Sequence, residues 1–189
     1  RRALAGHVLP NWELRRRRRD GSELRVAASV SLIRAPDGAP QALSLIERDV
    51  TPRIQAEAQL RESERRFRTL ADTAPVLIWM AEADGTLLFA NQEFRRFVGQ
   101  PAERLSQRSL RAWLHREEAT GTMAALAALR PDERFDGKLR LAHGDGSHRW
   151  VLCSAMLQTD TAPKRPVIIG TMVDIDAQIR AEESIRETS

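Results

Sequence analysis

The chain has 189 residues, 42% apolar and 30% charged, enough for one or two soluble domains, and no run of about 18 apolar residues offers a membrane span. Its single cysteine, Cys153, excludes an internal disulfide, and no secretory leader opens the sequence, so a cytoplasmic location is expected. The formal net charge of +4 invites a nucleic-acid reading. However, only Lys138 and Lys164 of the 30 basic residues are lysines, and the densest run, Arg15 to Arg19, has no stacking aromatics interleaved, which leaves specific nucleic-acid binding a remote alternative.

In chain order, the Arg run meets a turn at Asp20-Gly21, and Glu23 to Ile33 then alternates, with Leu24, Val26, Ala28, Val30 and Leu32 on one face of a half-buried strand. Pro36-Asp37-Gly38 turns the chain into a second strand, Ala42 to Ile46. Thr51 before Pro52 predicts the start of a helix running to Leu70, with Thr51 as N-cap. Ala56, Leu60, Ser63, Phe67 and Leu70 follow each other at intervals of four and three, a short coiled-coil-like seam. Val76 to Met80 and Leu87 to Ala90 are short strands around Asp84-Gly85. Asn91 then caps a helix carrying Phe94, Phe97 and Val98 that ends at Gly99, and Glu117 to Leu129 forms another. Phe135 to Ala142, His148 to Leu157 and Val167 to Val173 complete the set as three antiparallel strands. The middle one is apolar on both sides, so both its faces need cover, the second from a flanking helix or another subunit.

Part of this plan is written twice. DGSELRV from Asp20 recurs as DGSHRWV from Asp145, and RDVTPRIQAEAQLRE from Arg48 recurs as VDIDAQIRAEESIRE from Val173, each at an interval of 125 residues. Both ends of the unit keep register, which indicates two related domains in tandem, the first present only in its closing portion.

The stretch FRTLADTAPVLIWMAEADGTLLFANQEFRRFVG resembles the opening of a PAS domain, LRAWLHREE its middle, and DGSHRWV with IIGTMVDIDAQIRAEESI its closing PAC segment. The resemblance covers Phe67 to Ile185, and Arg1 to Leu60 resembles the closing half of a preceding PAS domain. It implies an α+β PAS fold, a five-stranded antiparallel sheet with flanking small helices. It also implies the boundaries 1–50 for the end of a truncated PAS domain, 51–70 for a linker helix, 71–176 for a complete PAS domain and 177–189 for the start of an output helix. In that family an Asp-Ile/Val-Thr motif marks the handover from last strand to output helix. Asp49-Val50-Thr51 matches it, whereas Asp174-Ile175-Asp176 departs at the third position, where Asp176 is expected to cap as Thr51 does.

The implied function is signal sensing and relay in a bacterial signalling protein, a sensor histidine kinase first and a ligand- or cofactor-binding sensor of a diguanylate cyclase as the alternative. A parallel homodimer is expected. Trp79, Phe94, Phe97, Trp113, Cys153 and Met156 are the residues for lining a ligand cavity, although aromatics at such spacing also serve as plain core. No cofactor is identified. His115 is the candidate for haem but stands where a helix cap is expected, and Cys153 lies on a strand, away from the central helices where a flavin photoadduct would need it. His143 and His148 flank a two-residue Asp-Gly turn expected to project them into solvent, so no metal site is assigned. No phosphate loop or nucleophile elbow supports an enzyme.

Overall fold

The computed structural model describes residues 9–159 and 165–188. Residues 1–8 of the expected 1–50 segment, Lys164 in the Pro-containing loop, and Ser189 lie outside the described residues. Contacts divide the chain into two units, Arg1–Arg65 and Arg66–Ser189.

In the first unit, β1 (Leu9–Arg17), β2 (Glu23–Arg34) and β3 (Pro40–Asp49) form an antiparallel sheet in that order. The alternation of β2 buries Val26 and Ala28. Strand β3 is longer than its apolar stretch suggests, because backbone pairing with β2 continues from Pro40 to Asp49 through polar residues. Of the Arg run, Arg16 and Arg18 pair with Glu47 and Asp49, so part of its charge is neutralised within the sheet. Helix α1 (Thr51–Thr73) follows, three residues longer than the pattern predicts, with Ala71 in its last turn buried.

The second unit runs β4 (Leu77–Glu82), β5 (Leu87–Ala90), α2 (Gln92–Val98), α3 (Ala102–Leu105), a 3-10 turn (Leu110–Trp113), α4 (Arg116–Ala127), β6 (Arg134–Ala142), β7 (His148–Gln158), β8 (Val167–Asp174) and α5 (Asp176–Thr188). Its five strands pair antiparallel in the order β5-β4-β8-β7-β6. The last strand therefore lies at the centre of the sheet, between the first strand of the unit and β7, and leads into α5 after one residue.

One face of this sheet carries the core. Leu77, Trp79 and Ala81 of β4, Val151, Cys153 and Ala155 of β7, and Ile168 and Met172 of β8 pack with Phe94, Val98, Leu105, Leu110 and Leu126 from the helical segment. The opposite face leaves Leu152, Met156 and Val173 exposed by 43–48%. The short α3 and the 3-10 turn carry no apolar period of their own; each is fixed by one buried leucine, Leu105 or Leu110.

Candidate functional site

The handover from sheet to helix is built the same way in both units. Asp49 Oδ1 accepts from the Thr51 N–H at 2.9 Å, and Asp174 Oδ1 accepts from the Asp176 N–H at 2.9 Å. The Val50 N–H donates to the Arg25 carbonyl at 2.9 Å, and the Ile175 N–H donates to the Trp150 carbonyl at the same distance. The Arg25 N–H donates to Thr51 Oγ1 at 2.8 Å, and the Trp150 N–H donates to Asp176 Oδ1 at 3.2 Å.

This corrects the expected capping role of Thr51 and Asp176. Thr51 Oγ1 and Asp176 Oδ1 accept from the neighbouring strand, β2 or β7, rather than from the first turn of the helix, because the ladder ends at Val26–Asp49 and Val151–Asp174 and leaves the next amide in need of an acceptor. Either residue type supplies one oxygen, which is why Asp replaces Thr without loss of geometry. Hydrogen bonds from the Thr51 side chain and amide hold the Asp49 carboxyl below the usual range. Its second oxygen accepts from Arg18 at 2.8 Å, whereas that of Asp174 lies 3.8 Å from Arg149.

The turns at the other end of the repeat also match. Ser22 and Ser147 each donate from the amide (2.9 Å) and the hydroxyl (2.6 Å) to Asp20 and Asp145. Gly21 and Gly146 stand at φ 88° and 86°. The His143 N–H donates to the Ser147 carbonyl and the Gly146 N–H to the His143 carbonyl, so the loop has three residues rather than the expected two, with glycine in the left-handed bulge position. His143 accordingly turns its ring onto Phe97, with centroids 5.0 Å apart, instead of into solvent.

Five of the six cavity candidates come together. Trp79, Phe94 and Cys153 belong to the core, and Phe97 and Trp113 pack against it. Met156 does not join them: strand alternation puts it on the face opposite Cys153, 48% exposed. Burial, and secondarily the charge of Asp136, push the Cys153 thiol up to about 12, so it is an apolar core group rather than a nucleophile.

His115 caps α4, its Nδ1 accepting from the Glu117 N–H at 3.3 Å. With Glu117 and Glu118 it forms the one group of possible metal ligands found among the described residues. A cation already lies there: the Arg140 guanidinium donates to both carboxylates and stacks 5.1 Å from the Trp150 ring.

Asn91 has a larger role than the cap the sequence shows. It is fully buried. Its Oδ1 accepts from Ile78 and Phe94 N–H groups at 2.9 and 3.0 Å, and its Nδ2 donates to the carbonyls of Ala71 and Val76 at 2.7 and 2.9 Å. One side chain thus joins the end of α1, the chain entering β4, β4 itself and the start of α2. Asp72 adds a second tie, accepting from the Gln92 N–H at 2.7 Å.

A five-stranded antiparallel sheet with its last strand at the centre and helices on one face defines an α+β module, and known proteins share it. Residues 87–172 match the family model described as PAS fold. The PAS domain of an HTR-like protein from Haloarcula marismortui superposes with a TM-score of 0.57 at 23% identity, covering 64% of this chain and 98% of that one. The two-component sensor PprA of Pseudomonas aeruginosa is 35% identical over 95 residues, 50% of this chain and 10% of that protein. The peroxide stress-activated histidine kinase mak1 of Schizosaccharomyces pombe is 23% identical over 146 residues, 72% and 9% of the two chains. The second unit therefore has the PAS fold, matched over residues 87–172, and the chain spans about a tenth of the two-component sensor and of the histidine kinase it resembles. No helix among the described residues is long and apolar enough to cross a membrane.

Proposed function

We propose that the chain is a signal-relay segment of a sensor histidine kinase, with 1–50 as the closing part of one PAS domain, 51–70 as a linker helix, 71–176 as a complete PAS domain and 177–189 as the start of the output helix. The observation that carries this reading is the repeated handover, in which Asp49 with Thr51 and Asp174 with Asp176 tie the first turn of a helix to the strand preceding the last one, β2 or β7. Pairing of β2 with β3 matches that of β7 with β8 from Val26–Asp49 and Val151–Asp174 to Leu32–Leu43 and Leu157–Ile168. Leu43 is 56% exposed where its counterpart Ile168 is 1% exposed, as befits a PAS sheet that lacks the cover of its opening half.

In this reading a displacement of β8 relative to β7 is passed to α5 through the Asp174–Asp176 joint. Only the difference in free energy between two arrangements is transmitted, typically about 1–3 kcal/mol. The chain works as a parallel homodimer, with the seam Ala56, Leu60, Ser63, Phe67 and Leu70 and the exposed apolar face of the five-stranded sheet as its contacts.

Asp174→Ala tests the relay. In the full-length kinase, the stimulated change in autophosphorylation is expected to shrink at least about 5-fold, the low end of typical coupling, while the melting temperature of this segment falls by only a few degrees. Loss of fold and of response in equal measure would make Asp174 a structural residue and defeat the assignment.

A further inference from the structure

Trp79 lies on β4, fully buried, and its partner across the ladder is Gly170 of β8. Gly170 pairs in turn with Ala155 of β7, and the neighbouring inner pair is Cys153 with Gly137. The middle of the inner face is therefore a floor of small residues: Gly137, Cys153, Ala155 and Gly170. A Cβ at position 170 would fall inside the indole of Trp79, 2.7 Å from Nε1 and nearer still to Cε2 and Cζ2. The ring thus lies down on the β8 backbone, in space that any other residue at 170 would claim. From the far side, a Cβ on Gly137 would come within 3.0 Å of the Phe135 ring. The Trp79 Nε1–H is buried and has no acceptor among the described residues, so the shape of the surrounding floor sets the position of the ring.

We infer that Trp79 is the built-in occupant of the sheet interior: its indole fills, as part of the chain, the hollow over Gly170 and Ala155 that a flat aromatic ligand would otherwise take. The ligand class excluded at this position is the indole-like one, planar, apolar and one bicyclic ring in size. The inference does not depend on the relay proposal, since a domain filled in this way can pass a signal or not.

The test is a mutant cycle with indole as the probe, read by thermal melting of this chain. Wild-type melting is expected to move by less than about 1 °C at millimolar indole, whereas Trp79→Ala melts lower and recovers by about 5 °C or more when its cavity fills. Gly170→Ala is expected to lower the melting temperature sharply beside Trp79 and to be nearly silent in the Trp79→Ala background, a non-additivity that two merely destabilising changes would lack. If Trp79→Ala does not fold, Trp79→Leu with and without Gly170→Ala carries the same cycle. Equal stabilisation of wild type and variant by indole would overturn the inference, as would additive effects of the two substitutions or a stoichiometric aromatic ligand found against Gly170 in the wild-type protein.

Discussion

Asn91 shows how much one side chain can hold. All four of its hydrogen bonds go to backbone groups of other segments or of the helix it starts, in a site closed to water. Asn91→Ala strands two amides and two carbonyls, each of which costs about 1–3 kcal/mol when buried unpaired, though partial relaxation recovers some of it. A loss of about 3–4 kcal/mol in urea unfolding is expected, and a loss below 1 kcal/mol would mean that water replaces the side chain. The sequence announced Asn91 only as a cap, since the partners Ala71 and Val76 are carbonyls that no residue pattern advertises. Gly170 was legible in principle, because a glycine inside an apolar strand signals close approach of another group. Met156 was legible too: its even position on a strand whose odd positions face inward excludes it from the interior.

At the scale of elements, turns and joints share a device in which a carboxylate accepts hydrogen bonds from the residue two places on. Asp20, Asp84 and Asp145 close turns this way and Asp49 closes a joint. Hydrogen bonds from Ser22, Thr51, Thr86 and Ser147 lower these carboxyls from the ordinary 3.8, Asp145 most strongly. Since the folded value lies below the unfolded one, the stabilisation is fully present above the ordinary carboxyl range and is lost as pH falls through the depressed folded values. The melting temperature is thus expected to be level from pH 7 to about 5 and to fall below about 4. Asp145→Asn keeps an acceptor but not the charge, so its acid loss should be shallower; an unchanged slope would place the acid sensitivity elsewhere. The strands and long helices were readable because alternation and caps are local. The short α3 and the 3-10 turn were not, since Leu105 and Leu110 acquire their partners only when the sheet has formed.

At the scale of the whole molecule, the duplication was visible because its two ends kept a spacing of 125 residues. A different signal, the apolar residues on both sides of β7, predicts that the outer face of the five-stranded sheet is covered. Leu152, Met156 and Val173 lie there on adjacent β7 and β8, and Met156 lines, with Arg134, Ser154, Ile169 and Thr171, a groove of about 230 Å³. Large exposed apolar side chains on paired strands are a surface that water covers at a cost, and a second copy offers the same surface in return. Sedimentation equilibrium of this chain at micromolar concentration is expected to give a dimer. Leu152→Arg is expected to raise its dissociation constant at least about 10-fold, since each buried charge without a partner costs more than 1.4 kcal/mol, while melting of the monomer stays unchanged because the position faces away from the core. A monomer throughout that concentration range would remove the homodimer from the proposal. A dimer indifferent to Leu152→Arg would instead assign the contact to the helical seam of α1, where Leu60 and Leu70 stand 61% and 71% exposed.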